Sequence, residues 1–239
     1  MKIRLALAVA VLGAAIPCFA AADLNRLQAL TQDQFRALSE DLGAGLDYKP
    51  LSPAEPLGLT GFDIGLEATG TELRHRNLWN LASNGSVPSM LAIPKVHLIK
   101  GLPFNFDVGA EYSSVPGTNI AFWGGELRYA VIGGGIAAPA VAVRGTFTKT
   151  SGIGQLDFST KGVEVSVSKG FTLLTPYAGI GQEWVDSKPA ASTGLDDESF
   201  SQTKYYLGAD LHLALMNLAL EYDNANSINS YSLKVGLRF

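Results

Sequence analysis

From Tyr231 to Phe239 the chain places an apolar side chain at every second position: Tyr231, Leu233, Val235, Leu237 and Phe239. Ser232, Lys234, Gly236 and Arg238 fill the positions between. Successive side chains of a β-strand point to opposite faces, so this stretch reads as a strand with one apolar and one polar face. The strand ends on an aromatic residue, Phe239.

The start of the chain narrows the environment of that strand. Lys2 and Arg4 precede an apolar run from Leu5 to Ile16, and Phe19 to Ala22 offers a small-residue cleavage site. This is the layout of a secretory signal, too short to span a bilayer. Cys18 is the single cysteine, and Pro17 directly before it disfavours a lipoprotein cut. Cleavage near residue 22 leaves a chain without disulfides or thiolate metal ligands. The chain carries 18 Lys and Arg against 22 Asp and Glu, which gives no basic footprint for nucleic acid. No later segment reaches the roughly 18 unbroken apolar residues of a membrane helix. A secreted chain of this kind enters a membrane only as a closed β-barrel, because helices and closed barrels alone satisfy the backbone in lipid. A soluble all-β sandwich is the alternative.

Residues 61–239 divide into ten alternating segments separated by turn clusters, at about 61–73, 89–100, 103–113, 119–131, 139–149, 158–169, 174–186, 201–214, 216–223 and 231–239. Pro94 weakens the second and Gln182 blurs the parity of the seventh. Short connections alternate with longer ones. The two longest, His75 to Pro88 and Asp186 to Phe200, fall on the side opposite Phe239, as a single-chain transmembrane barrel requires. Tyr112, Trp123, Phe147, Trp184, Tyr205, Tyr222 and Tyr231 form one aromatic girdle, and Phe62, Phe104, Tyr129, Tyr177 and Phe239 the other. The fold expected is all-β: an antiparallel transmembrane barrel of about ten strands, with eight or twelve as alternatives, and a short N-terminal helix.

Residues 23–58 hold that helix and a proline-rich linker. Thr31 and Gln34 make a capping box, Leu30 and Phe35 a hydrophobic staple, and Gly43 a C-terminal stop. Pro50, Pro53 and Pro56 keep the following chain extended. The expected division is thus signal 1–22, helix and linker 23–58, and barrel 59–239. The helix is read as packed on the periplasmic rim, with a plug inside the lumen as the alternative. An even strand count places both termini in the periplasm.

The terminal strand resembles the C-terminal signal of bacterial outer-membrane β-barrels through Tyr231, Leu233, Val235, Leu237 and Phe239. Lys234 stands where that motif usually has glycine. The resemblance covers about residues 60–239 and implies location in the outer membrane of a Gram-negative cell envelope. It also implies contact with membrane lipid and recognition by the barrel-assembly machinery. It reaches no particular subfamily.

The inward positions expected from this parity are Asp63, Glu67, Asp107, Glu111, Glu126, Arg128, Arg144, Glu164, Lys204, Asp210, His212, Glu221, Lys234 and Arg238. They form either a closed ion-pair network or a narrow, porin-like, cation-favouring pore for small solutes or ions. No catalytic residue, metal site or cofactor is assigned. The histidines His75, His97 and His212 have no ligand spacing. Two other functions are weighed. One is a lipid-active hydrolase using His212 with Asp210 and Ser232. The other is an adhesin or receptor acting through loops 76–88 and 187–200. The favoured reading is a non-enzymatic barrel, structural or passively conducting. Deletion of Phe239 is expected to lower the amount of folded protein in the outer membrane, checked by membrane fractionation and heat-modifiable gel mobility.

Overall fold

The computed structural model describes residues 23–83 and 85–239, so the signal expected at 1–22, Cys18 included, lies outside the described residues. Ten antiparallel strands form one closed barrel. They are β1 (Phe62–Glu72), β2 (Met90–Gly101), β3 (Phe106–Ser114), β4 (Ala121–Gly133), β5 (Ala140–Ser151), β6 (Leu156–Ser168), β7 (Leu174–Pro189), β8 (Glu198–Leu213), β9 (Met216–Ala225) and β10 (Ile228–Arg238). Each strand pairs with its sequence neighbour, and β10 closes on β1, with Leu233 opposite Ala68 and Leu237 opposite Ile64. Closure leaves no free edge strand, the condition for placing a sheet in lipid.

Alternation decides which side each residue takes. Leu66, Val96, Val165, Leu207 and Leu220 are exposed on the outer wall, while Asp63, Glu67, Glu126 and Arg144 are buried inside. Trp123 meets Phe147 edge-on at 5.4 Å and Tyr222 lies 5.6 Å from Tyr231 towards one end. Phe62 packs 5.6 Å from Phe239, and Phe106 stacks at 4.7 Å on Tyr129, towards the other.

Several expectations are corrected. Tyr177 points into the bore, where it is 4% exposed, rather than joining a girdle. Its ring occupies the space left by Gly208, where an added Cβ would sit 2.4 Å from the tyrosine Cζ; Gly179 makes the same room for Tyr206. On β7, Ile180 and Trp184 face outward with Gln182 between them, so Glu183 faces inward. Pro94 stays within β2 because the β2–β3 ladder begins only at Val96, so the proline borders a stretch unpaired on that side. Phe104 lies in the turn before β3 with φ of 63°. The connection expected at 223–229 is only Asn226 and Ser227, both in the left-handed region (φ 50° and 67°), a tight hairpin turn.

Two helices are present among the described residues where one was expected. Helix α1 (Gln32–Leu46) starts at the anticipated capping box: Gln34 N–H donates to Thr31 Oγ1 and Thr31 N–H to Gln34 Oε1. It continues through Gly43 to an Asp47 cap, because Asp47 N–H still reaches Gly43 O. Helix α2 (Arg76–Ala82) lies in the β1–β2 connection. The longest connections, 73–89 and 190–197, lie at the end of the barrel away from Phe239; this is the outer end below, and the Phe239 end is the inner end.

The N-terminal segment does not sit on the inner rim. Leu24 bridges to Ser83 at the outer end, whereas Phe239 pairs with Phe62 at the inner end through two backbone hydrogen bonds. Between them α1 descends into the outer mouth and residues 47–60 run down the bore to the start of β1. Residue 24 and Phe239 therefore lie at opposite ends, and the expectation of both termini on one side is not met. An even strand count puts only the two ends of the sheet together; the segment before β1 is free to take the bore.

An arginine at Val165, exposed mid-wall on β6, is expected to cost about 2–4 kcal/mol of folding stability in lipid vesicles. The same change at Ser199, near the outer end of β8, should cost roughly 0–1 kcal/mol. Urea titrations of the refolded variants compare the two.

Candidate functional site

The chemistry of this protein is concentrated in its bore, which the N-terminal segment occupies in two layers. The outer layer is apolar. Leu24, Leu27, Phe35, Leu38, Leu42 and Leu46 pack with Leu91, Ile93, Phe122, Phe158 and Val185 from the barrel wall and with Trp79 of α2. The 3.6-residue period of α1 puts Phe35, Leu38 and Leu42 on one face, and the small residues Gly43, Ala44 and Gly45 narrow its last turn at the mouth. Asp41 ties this layer to the β1–β2 connection. It accepts from His75 N–H at 2.9 Å, pairs with His75 Nδ1 at 3.0 Å and accepts from Trp79 Nε1 at 3.0 Å. Burial pushes the Asp41 carboxyl up, against the hydrogen bonds of His75 and Trp79, which pull it down.

The inner layer is polar, and every residue from 41 to 54 is buried. Two ion pairs cross between segment and wall in opposite senses. Asp47 meets Lys204 at 2.9 Å, and Lys49 meets Asp223 at 2.7 Å. Lys49 also touches Asp47 at 2.5 Å and donates to Ala44 O at 2.8 Å, while Lys204 donates to Tyr48 O at 2.7 Å. Tyr48 OH meets His97 Nε2 at 2.9 Å, and His97 Nδ1 contacts Glu67. Lys95 spans Glu111 at 2.9 Å and Glu67 at 3.4 Å. Leu51 holds φ of 41°, unusual for a branched side chain; its N–H donates to Glu221 at 3.1 Å.

Below this, Ser52 joins two buried arginines. Its Oγ accepts from Arg128 Nη1 at 3.1 Å and Arg144 Nη2 at 3.2 Å. Arg128 is further held by Asp107 at 2.8 Å and by Pro53 O at 2.5 Å. Arg144 lies between Glu126 at 2.8 Å and Glu164 at 2.5 Å. Ala54 N–H reaches Ser168 Oγ and Leu57 N–H reaches Asp107, both at 3.0 Å. Tyr48 O, Leu51 N–H, Pro53 O, Ala54 N–H and Leu57 N–H of the segment thus find partners on the wall, which lowers the cost of burying an irregular chain.

Of the inward positions read from the sequence, Asp63, Glu67, Asp107, Glu111, Glu126, Arg128, Arg144, Glu164, Lys204, Asp210, Glu221 and Lys234 are buried. Asp63 pairs with Lys234 at 2.9 Å. His212 and Arg238 are only partly buried, near the inner end of the bore. The residues missed fall into four groups. Lys95 and His97 sit on the strand that Pro94 made doubtful. Glu183 and Gln202 depend on the corrected parity of β7 and on pairing with it; Asp223 stood at the very end of the ninth segment, where a connection was expected to begin. Asp47, Tyr48, Lys49 and Ser52 come from a linker that periodicity could not place.

Hydrolytic geometry is not assembled. His212 Nδ1 does lie 3.0 Å from Asp210. Ser232, however, is hydrogen-bonded to Thr69 Oγ1 at 2.9 Å. It stands opposite Glu221, four residues along β9 from the Asn217 that faces His212, about 13 Å at strand spacing. Among the described residues no group of three His, Cys, Asp or Glu side chains is placed to hold a metal ion.

No family model matches the sequence, and no curated protein matches it. Solved barrels resemble it in fold. The N-terminal β-barrel domain of Pseudomonas aeruginosa OprF is 10% identical, covering 74% of this chain and 97% of that one, with a TM-score of 0.34. KdgM porin is 9% identical over 74% of this chain and 99% of that one, with a TM-score of 0.37. Pseudomonas aeruginosa OprG is 10% identical over 79% and 99%, with a TM-score of 0.35.

Replacing Lys204 with Met removes one of the two ammonium partners of Asp47 and leaves Lys49 alone between Asp47 and Asp223, a buried cluster with one uncompensated negative charge, which is expected to cost about 3–5 kcal/mol. Combining it with Asp47→Asn should recover part of that loss. A double-mutant cycle on denaturant unfolding in vesicles measures the coupling.

Proposed function

We propose that this protein is a non-enzymatic, structural barrel of the bacterial outer membrane that its own N-terminal segment keeps closed. The observation that carries this reading is the complete burial of residues 41–54 inside the bore, against wall residues that pair with them. The terminal strand ending at Phe239, the apolar outer wall and the two aromatic girdles support the membrane assignment. A ten-stranded barrel has only slightly more interior than an eight-stranded one, which side chains alone just fill. A helix end and an extended chain, buried from residue 41 to 54, occupy that space, so passage of solutes is not expected. The narrow passive channel is therefore the weaker of the two readings weighed from the sequence. The adhesin reading is also weaker, because part of the connection 73–89 is packed against α1 and the N-terminal residues.

The wall keeps a latent charge preference. Among the described residues of the wall strands, ten buried Asp and Glu side chains stand against five buried Lys and Arg. Carboxylates in a low-dielectric bore attract cations, and salt screens the effect. Intact protein in a planar bilayer is expected to be silent. A variant lacking residues 24–54, shown to be folded by heat-modifiable mobility, is expected to conduct with cation selectivity at low ionic strength. Steady conductance from the intact protein would replace the closed-barrel reading with the channel.

A further inference from the structure

The segment before β1 makes its contacts in strict order from one end of the barrel to the other. Gln32 Nε2 reaches Asp196 O in the β7–β8 connection at 3.1 Å. Ser39 meets Ser187 at 2.8 Å, one helical stretch further in. Tyr48 then meets His97, Ser52 meets Arg128 and Arg144, and Leu57 meets Asp107. The chain finally enters β1 beside Phe239. Residues 47–61 could extend to about 50 Å, more than the roughly 30 Å of a hydrocarbon core, so the segment has length enough to cross it.

We propose that the chain passes its own N-terminal end outward through the barrel, so that residues 24–46 form a cap on the cell surface. Three observations carry this. The apolar outer layer joins Leu24, Leu27 and Phe35 to Trp79, Val87 and Ile153, side chains of connections at the outer end, which a segment held at the inner rim cannot reach. The bore is occupied along its length by the segment that links the cap to β1, so cap and Phe239 are on opposite sides whichever way the barrel is set. The cap also carries its own folding signals. A helix with its side chains is about 10–12 Å across, too wide to slide through a bore already lined with side chains. The segment passes extended, or the sheet closes around it, and α1 then forms from its capping box and apolar face. Once formed with α2 packed on it, the cap cannot retreat, and the ion pairs of Asp47 and Lys49 hold the strand of chain behind it. A polypeptide joined upstream of residue 24 would be carried to the same surface.

The placement outside, rather than inside, rests on the inner end facing the periplasm, as the long connections and the terminal strand indicate. The test separates the two premises. Residues 23–239 contain no cysteine, so single cysteines report position cleanly. Asp33→Cys marks the cap, Asp197→Cys the β7–β8 connection and Ile136→Cys the β4–β5 turn at the inner end; all three side chains are exposed. Intact cells are treated with a membrane-impermeant maleimide, and only variants with heat-modifiable mobility are compared. Asp33→Cys and Asp197→Cys are expected to label in intact cells, and Ile136→Cys only after permeabilisation. Labelling of Asp197→Cys without Asp33→Cys would show that the segment is not threaded. Labelling of Ile136→Cys in intact cells, or of none of the three, would show that the cap is not on the surface. Each of these results overturns the proposal and leaves the bilayer measurement of closure unaffected.

Discussion

The structure depends on a pair of reciprocal ion contacts in the middle of the bore. The segment supplies an acid and a base, Asp47 and Lys49, and the wall answers with a base and an acid, Lys204 and Asp223. Neither wall charge has a sufficient partner without the segment. Lys204 is left with Glu164 at 3.7 Å, and Asp223 loses its ammonium. Burying a charge without a partner is far more costly than burying a pair, so the wall and the segment each require the other. The crossed arrangement also fixes register: sliding the segment by one residue would set backbone where each charge is needed.

Around that centre the bore changes character along its axis. Towards the outer mouth it is a small hydrophobic core, with Phe122, Phe158, Leu91 and Val185 from the wall meeting the leucines of α1. Towards the inner end it is a network of arginines, carboxylates and the Ser52 hydroxyl. The barrel is thus apolar outside for lipid and divided inside, where α1 offers an apolar face and the extended segment offers backbone and charge. Each half of the lumen matches what the chain presents to it. This consistency between local pattern and global fold is what gives a sequence one structure rather than several.

The barrel itself was legible in the sequence because its rule is local. Alternation with period two assigns Val165 to lipid and Glu164 to the bore from neighbouring residues alone. The ten strands appear close to where the pattern places them, and the capping box of Thr31 and Gln34 sets the start of α1. Reading failed where the pattern was interrupted or the cause was distant. Gln182 among outward residues hid Glu183, and Pro94 cast doubt on the strand that carries Lys95 and His97. Tyr177 looks like an interfacial aromatic until Gly208, thirty-one residues away, is known to leave space beneath its ring.

Sequence alone determined the antiparallel barrel, its lipid-facing wall and most of the wall's buried charges, since these follow from side-chain alternation and from the need to pair every strand in lipid. Only the tertiary structure decided the path of residues 24–60. The proline-rich stretch that carries Asp47 and Lys49 has no period to read. Its position follows from Lys204 and Asp223, which lie more than 150 residues further along and become neighbours only when the barrel has closed.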